Sequence, residues 1–198
     1  MTGSLENLND IETFCPASQQ EWRRWLKSNH KSKQSIWLFL YKKGSDKPVI
    51  GWGDAVNEAL CFGWVDSTRR PFDDEKFLQF FSKRKPKGTW SKVNKLKVKQ
   101  LIENGLMTKA GLDCIEAAKK NGSWIILDEV EELKIPKDLA KEFRGNYGSR
   151  EFFLSLSKSV RKSILQWVVL AKRSETRQKR ISEIAELAAQ KQKPKQFR

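Results

Sequence analysis

The stretch Ala59-Leu-Cys-Phe-Gly-Trp-Val-Asp-Ser67 decides the fold. Its first half closes a helix that starts at Asp54. Val56, Ala59 and Leu60 recur at i, i+3 and i+4, which puts them on one helical face. Gly63 ends that helix, because glycine takes the left-handed conformation without a Cβ clash. The second half changes period. Residues 64–70 read as a strand and 76–84 as another, with Pro71-Phe-Asp-Asp-Glu75 as the hairpin connection.

Working back towards the N-terminus, Ile36-Trp-Leu-Phe-Leu-Tyr41 is apolar at every position, so this strand needs cover on both faces. Lys42, Lys43, Gly44, Ser45 and Asp46 form its exit, and residues 49–52 are ambiguous. Before it, Ser18 and Glu21 make a capping-box pattern. Trp22, Trp25 and Leu26 then follow at helical spacing to about Asn29. Residues 30–34 are a polar loop containing the single histidine, His30, which reads as a solvated loop residue.

Towards the C-terminus, Thr89 or Ser91 caps a helix running to Glu103, with Val98, Leu101 and Ile102 facing inward. Thr108 caps another, in which Ala110, Cys114, Ala117 and Ala118 leave room for close helix approach. Asn121-Gly122 ends it. Residues 125–135 carry Asp128, Glu129, Glu131 and Glu132 and read as an acidic linker. Pro136 suits a first helical turn and opens a helical domain over 136–191. In it Ser149 starts a short helix and Ser157 caps a longer one with Val160, Ile164, Trp167, Val168 and Ala171 on one face. Ile181, Ile184, Ala185 and Ala188 continue the helical spacing. Residues 1–13 and 192–198 read as flexible tails. The expected class is α+β: a small, mostly antiparallel sheet covered by helices over 14–124, followed by the helical C-terminal domain.

Charge and composition restrict the function classes. Eight tryptophans and eleven phenylalanines in 198 residues imply a folded chain, since disordered segments are poor in aromatics. The net charge is +15, and residues 158–198 hold twelve Lys and Arg against three Glu. Such a field attracts anions: nucleic acid, acidic lipid surfaces or acidic proteins. Cys15, Cys61 and Cys114 are too few and too scattered for a disulfide framework or a CxxC centre, which fits a reducing, cytoplasmic setting. Residues 1–9 lack the basic and apolar regions of a signal peptide, and no apolar run approaches the ~20 residues of a membrane helix.

The phosphate-binding loop and the glycine-rich dinucleotide fingerprint are both missing, and one histidine supports neither a His-rich metal site nor a triad. No cofactor and no metal is expected. Asp66, between Trp64 and Arg69, is the one candidate for general acid–base work, with an ion pair to Arg69, Arg70 or Arg84 as its structural reading. The cations Arg69, Arg70, Lys83, Arg84, Lys85 and Lys87 precede Trp90, Ser91 and Asn94. Guanidinium forks, amides and an indole suit a phosphate, a carboxylate or a stacked base. The expected anion cleft therefore comprises Asp66, Arg69, Arg84, Trp90, Ser91 and Asn94.

The stretches Trp37-Leu-Phe-Leu-Tyr-Lys-Lys43, Glu58-Ala-Leu-Cys-Phe-Gly-Trp-Val-Asp-Ser67 and Phe80-Phe-Ser-Lys-Arg-Lys-Pro86 carry a resemblance. So do Trp90-Ser-Lys-Val-Asn94, Gly105-Leu-Met-Thr-Lys-Ala-Gly111, Ala118-Lys-Lys-Asn-Gly-Ser-Trp124 and Ala171-Lys-Arg-Ser-Glu-Thr-Arg177 with Arg180-Ile181. Together they resemble the bacterial family named for bacteriocin protection, the YdeI/OmpD-associated proteins. Lys85 and Gly88 depart from that pattern, where arginine and serine are expected. The resemblance implies bacteriocin protection and association with an outer-membrane porin, and no reaction, cofactor or catalytic residue. Three readings follow: a protective protein binding an anionic ligand or acidic protein surface through the cleft; a nucleic-acid module using the basic C-terminal helices; and an enzyme using Asp66, ranked last because no second catalytic partner accompanies it.

Overall fold

A computed structural model describes residues 11–42 and 50–198. Residues 43–49, with most of the expected strand exit, and residues 1–10 of the front tail lie outside the described residues. The chain forms two compact units, one from residues 1–88 and 93–122, the other from residues 89–92 and 123–198. The class is α+β, as the periodicities imply.

The first unit is built on a four-stranded sheet. Strand β1 (Thr13–Phe14) pairs parallel with β2 (Ser35–Tyr41). Thr13, expected in a loose tail, is thus held by a ladder too short to leave a periodicity. Strands β3 (Trp64–Pro71) and β4 (Lys76–Lys83) form the hairpin, and the order is β1-β2-β4-β3, with β2/β4 and β3/β4 antiparallel. On one face Ile36, Leu38 and Leu40 stand opposite Phe81, Gln79 and Phe77, and all six are buried. The β3/β4 register shifts between Asp66 and Arg69. Gln79 satisfies that irregularity: its amide donates to the Ser67 and Thr68 carbonyls at 3.2 Å and accepts from Arg69 Nε at 3.4 Å.

Helices cover the Ile36/Phe81 face. In α1 (Gln19–Asn29) the Ser18 hydroxyl accepts from the Glu21 N–H at 3.2 Å, and the Glu21 carboxylate reaches back to the Ala17 N–H. The Ser18 half is the capping box read from the sequence, and the return bond falls one residue earlier, on the N–H before the cap. The Trp22 ring lies 5.5 Å from Phe81, and its indole N–H donates to the Ala55 carbonyl. Helix α2 (Trp52–Cys61) begins two residues before Asp54, with Gly51 as its cap, and buries Ala55, Val56, Ala59 and Leu60. Gly63 follows at φ +73°, the left-handed turn that delivers Trp64 into β3.

Two further helices complete this unit. In α3 (Lys92–Glu103) Val98 and Leu101 are buried, but Ile102, expected inside, is 47% exposed. Successive residues of a helix are ~100° apart, so Ile102 falls just outside a buried stripe one residue narrower than expected. In α4 (Lys109–Lys120) the Thr108 cap accepts from the Gly111 N–H and donates to the Cys61 carbonyl at 2.6 Å. Gly111 also brings α4 close to the end of α2. A Cβ there would lie 2.4 Å from the Cys61 carbonyl oxygen.

The second unit is helical. It contains α5 (Asp128–Glu131), α6 (Lys137–Gly145), α7 (Ser149–Ser155), α8 (Lys158–Val169) and α9 (Ser174–Ala189). Their core is Leu139, Phe143, Phe153, Ile164, Leu165, Val168, Ile181, Ile184 and Ala185. The stretch 125–135, expected as an acidic linker, contributes Leu127 and Val130 to that core. Of its acids Asp128, Glu129 and Glu131 fall in the one turn of α5, and Glu131 pairs with Lys162 of α8 at 2.6 Å. The basic end, expected as a flexible tail, forms a 3-10 turn (Lys195–Phe197) with the Phe197 ring 5.7 Å from Trp167. Trp90 belongs to this unit, fully buried against Trp124 at 4.9 Å. Among the described residues no helix is long and apolar enough to cross a membrane.

A cationic cleft in the first unit

A cleft of about 460 Å³ opens at the Gly63 turn. His30 and Lys31 follow the end of α1, and Lys83 and Arg84 lie where β4 ends. Ala110, Cys114 and Ala117 from α4 form the facing wall, and Phe62 and Pro86 complete the apolar lining. Gly63 is what lets the walls meet. A Cβ there would lie 3.1 Å from the Ala110 carbonyl oxygen and 3.3 Å from Cys114 Cβ. The Arg84 N–H donates to the Gly63 carbonyl at 2.9 Å, pinning the strand end to the turn. Lys83 Nζ donates to the Lys31 carbonyl at 2.6 Å, and Asn121 donates to the Pro86 carbonyl at 2.7 Å. The basic loop is therefore held at both ends.

Arg84 dominates the electrostatics. It is only 9% exposed, and burial pushes its pKa down to about 10, against the opposing pull of Cys114 and Asp66. At neutral pH it stays a cation inside a mostly apolar wall. A shift of that size corresponds to roughly 3 kcal/mol of disfavoured charge at 1.36 kcal/mol per unit. Burial pushes the Cys114 thiol up, and Arg84 opposes that rise, so Cys114 remains a thiol at neutral pH. The one acid on the wall, Asp113, is paired with Lys109 at 2.9 Å on the surface. His30 is not a solvated loop residue: Nδ1 lies 2.9 Å from the Leu26 carbonyl and its ring 5.2 Å from Phe62.

The residues expected to share a cleft are dispersed. Arg84 lines it, and Asp66 acts on Arg84 electrostatically from β3, opposite Phe81. Arg69 lies six residues along β3 from Gly63, roughly 20 Å at strand rise. Its guanidinium stacks 4.1 Å from the Phe77 ring centre. Asn94 lies in the first turns of α3, half-buried, while Trp90 and Ser91 belong to the second unit. His30, Lys31 and Cys114 line the cleft with Arg84 and lie outside the expected set, and Lys83 stands in the sequence only among the loop cations. Only the cation pair Lys83-Arg84 beside a strand end hinted at them.

A second polar cluster lies between α1 and α2. Glu58, 4% exposed, accepts from Arg23 at 2.6 Å and from Gln19 at 2.7 Å, and Arg23 also donates to the Leu106 carbonyl. It is fully engaged in holding α1, α2 and the α3–α4 turn. In the second unit Arg177 donates to both Asp138 oxygens and to the Val168 carbonyl. Arg180 stacks 4.8 Å from Trp167 and donates to its carbonyl. Two of the C-terminal cations expected to meet nucleic acid thus join helices within their own unit. Among the described residues no group of three His, Cys, Asp or Glu is arranged to hold a metal ion.

These features define a two-unit α+β protein with a cationic cleft in its front unit. Residues 14–114, about half of the chain, match the family model described as a domain of unknown function (DUF8412), and residues 132–191 match the model of the bacteriocin-protection, YdeI or OmpD-associated proteins. The chain belongs to the DUF8412 family, and its helical unit is similar to the bacteriocin-protection, YdeI/OmpD-associated proteins. The resemblance read over the whole chain thus divides: the bacteriocin-protection model itself covers only the C-terminal helices. No curated protein and no solved structure matches the chain.

Proposed function

We propose that the front unit of this bacteriocin-protection-type protein is an anion-binding module, with the cleft at Gly63 as its site. The observation that carries the reading is Arg84, a charge nine-tenths buried in the wall of an open cleft. A bound anion would offset its desolvation, because opposite charge favours the ionised form. Lys83 and Lys31 add positive charge at the rim, while Phe62, Pro86, Ala110 and Ala117 offer apolar contact. The ligand class is a small organic anion: a carboxylate or phosphate carried on an apolar body. Asp66 biases Arg84 in this scheme and performs no proton transfer. Three free thiols suit a reducing compartment.

Cys114 is the reporter for the test. Alkylation of each cysteine is followed by peptide mass spectrometry, with organic acids and phosphates added at constant ionic strength. Exposed Cys15 is the internal control. The expected result is slowed alkylation of Cys114, unchanged alkylation of Cys15, and loss of protection in Lys83→Ala and Arg84→Gln. A Cys114 rate indifferent to every anion tried would overturn the reading.

A further inference from the structure

The second face of the sheet carries a different kind of surface. The β2/β4 register places Trp37, Phe39 and Tyr41 of β2 on the face opposite Ile36 and Leu38, together with Leu78 and Phe80 of β4. The Ile36/Phe81 face is closed by helices. On this one Trp37 and Leu78 are buried as well, and Phe39, Tyr41 and Phe80, half-buried, are the rings a ligand can reach. Trp37 and Phe80 meet edge to face at 4.9 Å, and Phe39 meets Phe72 of the hairpin connection at 4.8 Å. Two cations lie over these rings: Arg70 is 5.0 Å from Trp37, and Lys76 is 5.1 Å from Tyr41.

We infer that this face binds single-stranded nucleic acid. Aromatic rings on a sheet interleaved with cations combine stacking with attraction for the phosphate backbone. Rings two residues apart on a strand are separated by ~6.5 Å, about twice the 3.4 Å base spacing of a duplex strand. Bases reach such rings only when unstacked, so the platform selects single strands. Charge complementarity points the same way. The chain carries +15 overall, and Arg70 on the edge strand is exposed. The acids Asp74 and Glu75 of the hairpin connection confine the path to the central rings at that end. This site is separate from the Arg84 cleft and differs from the C-terminal helices that the charge distribution alone suggests.

The test is fluorescence anisotropy of labelled ten-nucleotide DNA and RNA strands, and of a hairpin duplex, at about 50 and 200 mM salt, where phosphate contacts weaken steeply. The full chain should bind single strands of one or both sugars, with the duplex clearly weaker. Arg70→Glu, at an exposed position, and Phe80→Leu, which keeps an apolar side chain, should each weaken binding ~10-fold or more. Circular dichroism would confirm that both variants keep the fold. Lys172→Glu with Lys179→Glu should change affinity less than twofold. Absence of binding at low salt would overturn the inference, as would loss of binding only in the Lys172/Lys179 variant. Equal binding of polyglutamate would also overturn it, by making the face a general acidic-partner surface. The Lys83→Ala protein should bind oligonucleotide normally, which separates failure here from failure of the cleft.

Discussion

The two units handle charge in opposite ways. The first buries it: Glu58 and Arg84 are each less than one-tenth exposed, embedded in a core rich in tryptophan and phenylalanine. The second keeps an apolar core and places its ion pairs around it, Arg177 with Asp138 and Lys162 with Glu131, as bolts between helices. Buried charge is costly and unforgiving when a partner is lost, whereas partly exposed pairs are screened and worth little. Charge therefore joins helices in both units, through Arg23 and Glu58 in the first and Arg177 and Asp138 in the second, and the first also sets Arg84 in the wall of a cleft. The net charge of +15 says nothing of this difference.

The comparison breaks most sharply at helix contacts. Gly111→Ala sets a Cβ 2.4 Å from a backbone oxygen in the first unit, with no flexible neighbour to yield on that side. It should destabilise that unit by about 3 kcal/mol, the upper range for overpacking, read as a lowered urea midpoint. Next comes Arg23→Ala, which leaves Glu58 buried with Gln19 as its remaining partner across the helix pair. Arg23 is itself a third exposed, so the loss should be about 2–3 kcal/mol, below the full cost of a buried orphan charge. Glu58→Gln in the Arg23→Ala background should recover part of it. No recovery would mean that packing of the arginine stem matters more than its charge.

Much of this was legible. Three caps read from Ser18, Thr108 and Ser157 are all made, because capping depends on residues three apart. The hairpin and the Gly63 turn are equally local. What escaped is long-range. Arg23 and Glu58 are separated by 35 residues, so no spacing signals their pairing. Gly111 is absent from the small residues that the α4 spacing singles out, and its closeness to Cys61 follows only from where α2 ends. The cleft lining is only partly local. Arg84 stands out beside a strand end, but His30 and Lys31 come from a loop that periodicity treats as solvent. Arg69 is near Gly63 in sequence, and strand geometry carries it away. The acidic run at 128–132 hid Leu127 and Val130 because charge outweighed two apolar positions in a short window.

The smallest effect sharpens the contrast best. The Arg177 guanidinium, hydrogen-bonded to Asp138, holds that carboxyl below its ordinary range against the opposing effect of burial. A carboxyl with a lower pKa folded than unfolded stabilises the fold above its unfolded pKa, about 3.9. That contribution is lost as pH falls through the folded value. Both side chains are about a third exposed, so the pair should be worth under ~1 kcal/mol. Arg177→Ala should thus lower stability of the helical unit by about that amount near neutrality, with the gap narrowing as pH falls below the unfolded carboxylate value, about 3.9. A residue of the difference should persist at acid pH, because Arg177 also donates to the Val168 carbonyl and that bond does not titrate. Hydrogen exchange at α6 and α9, compared between wild type and variant at both pH values, reads this without requiring the units to unfold together. A gap that ignores pH would assign Arg177 to packing and carbonyl capping alone. The second unit would then hold its helices by apolar contact, and its ion pairs would be passengers.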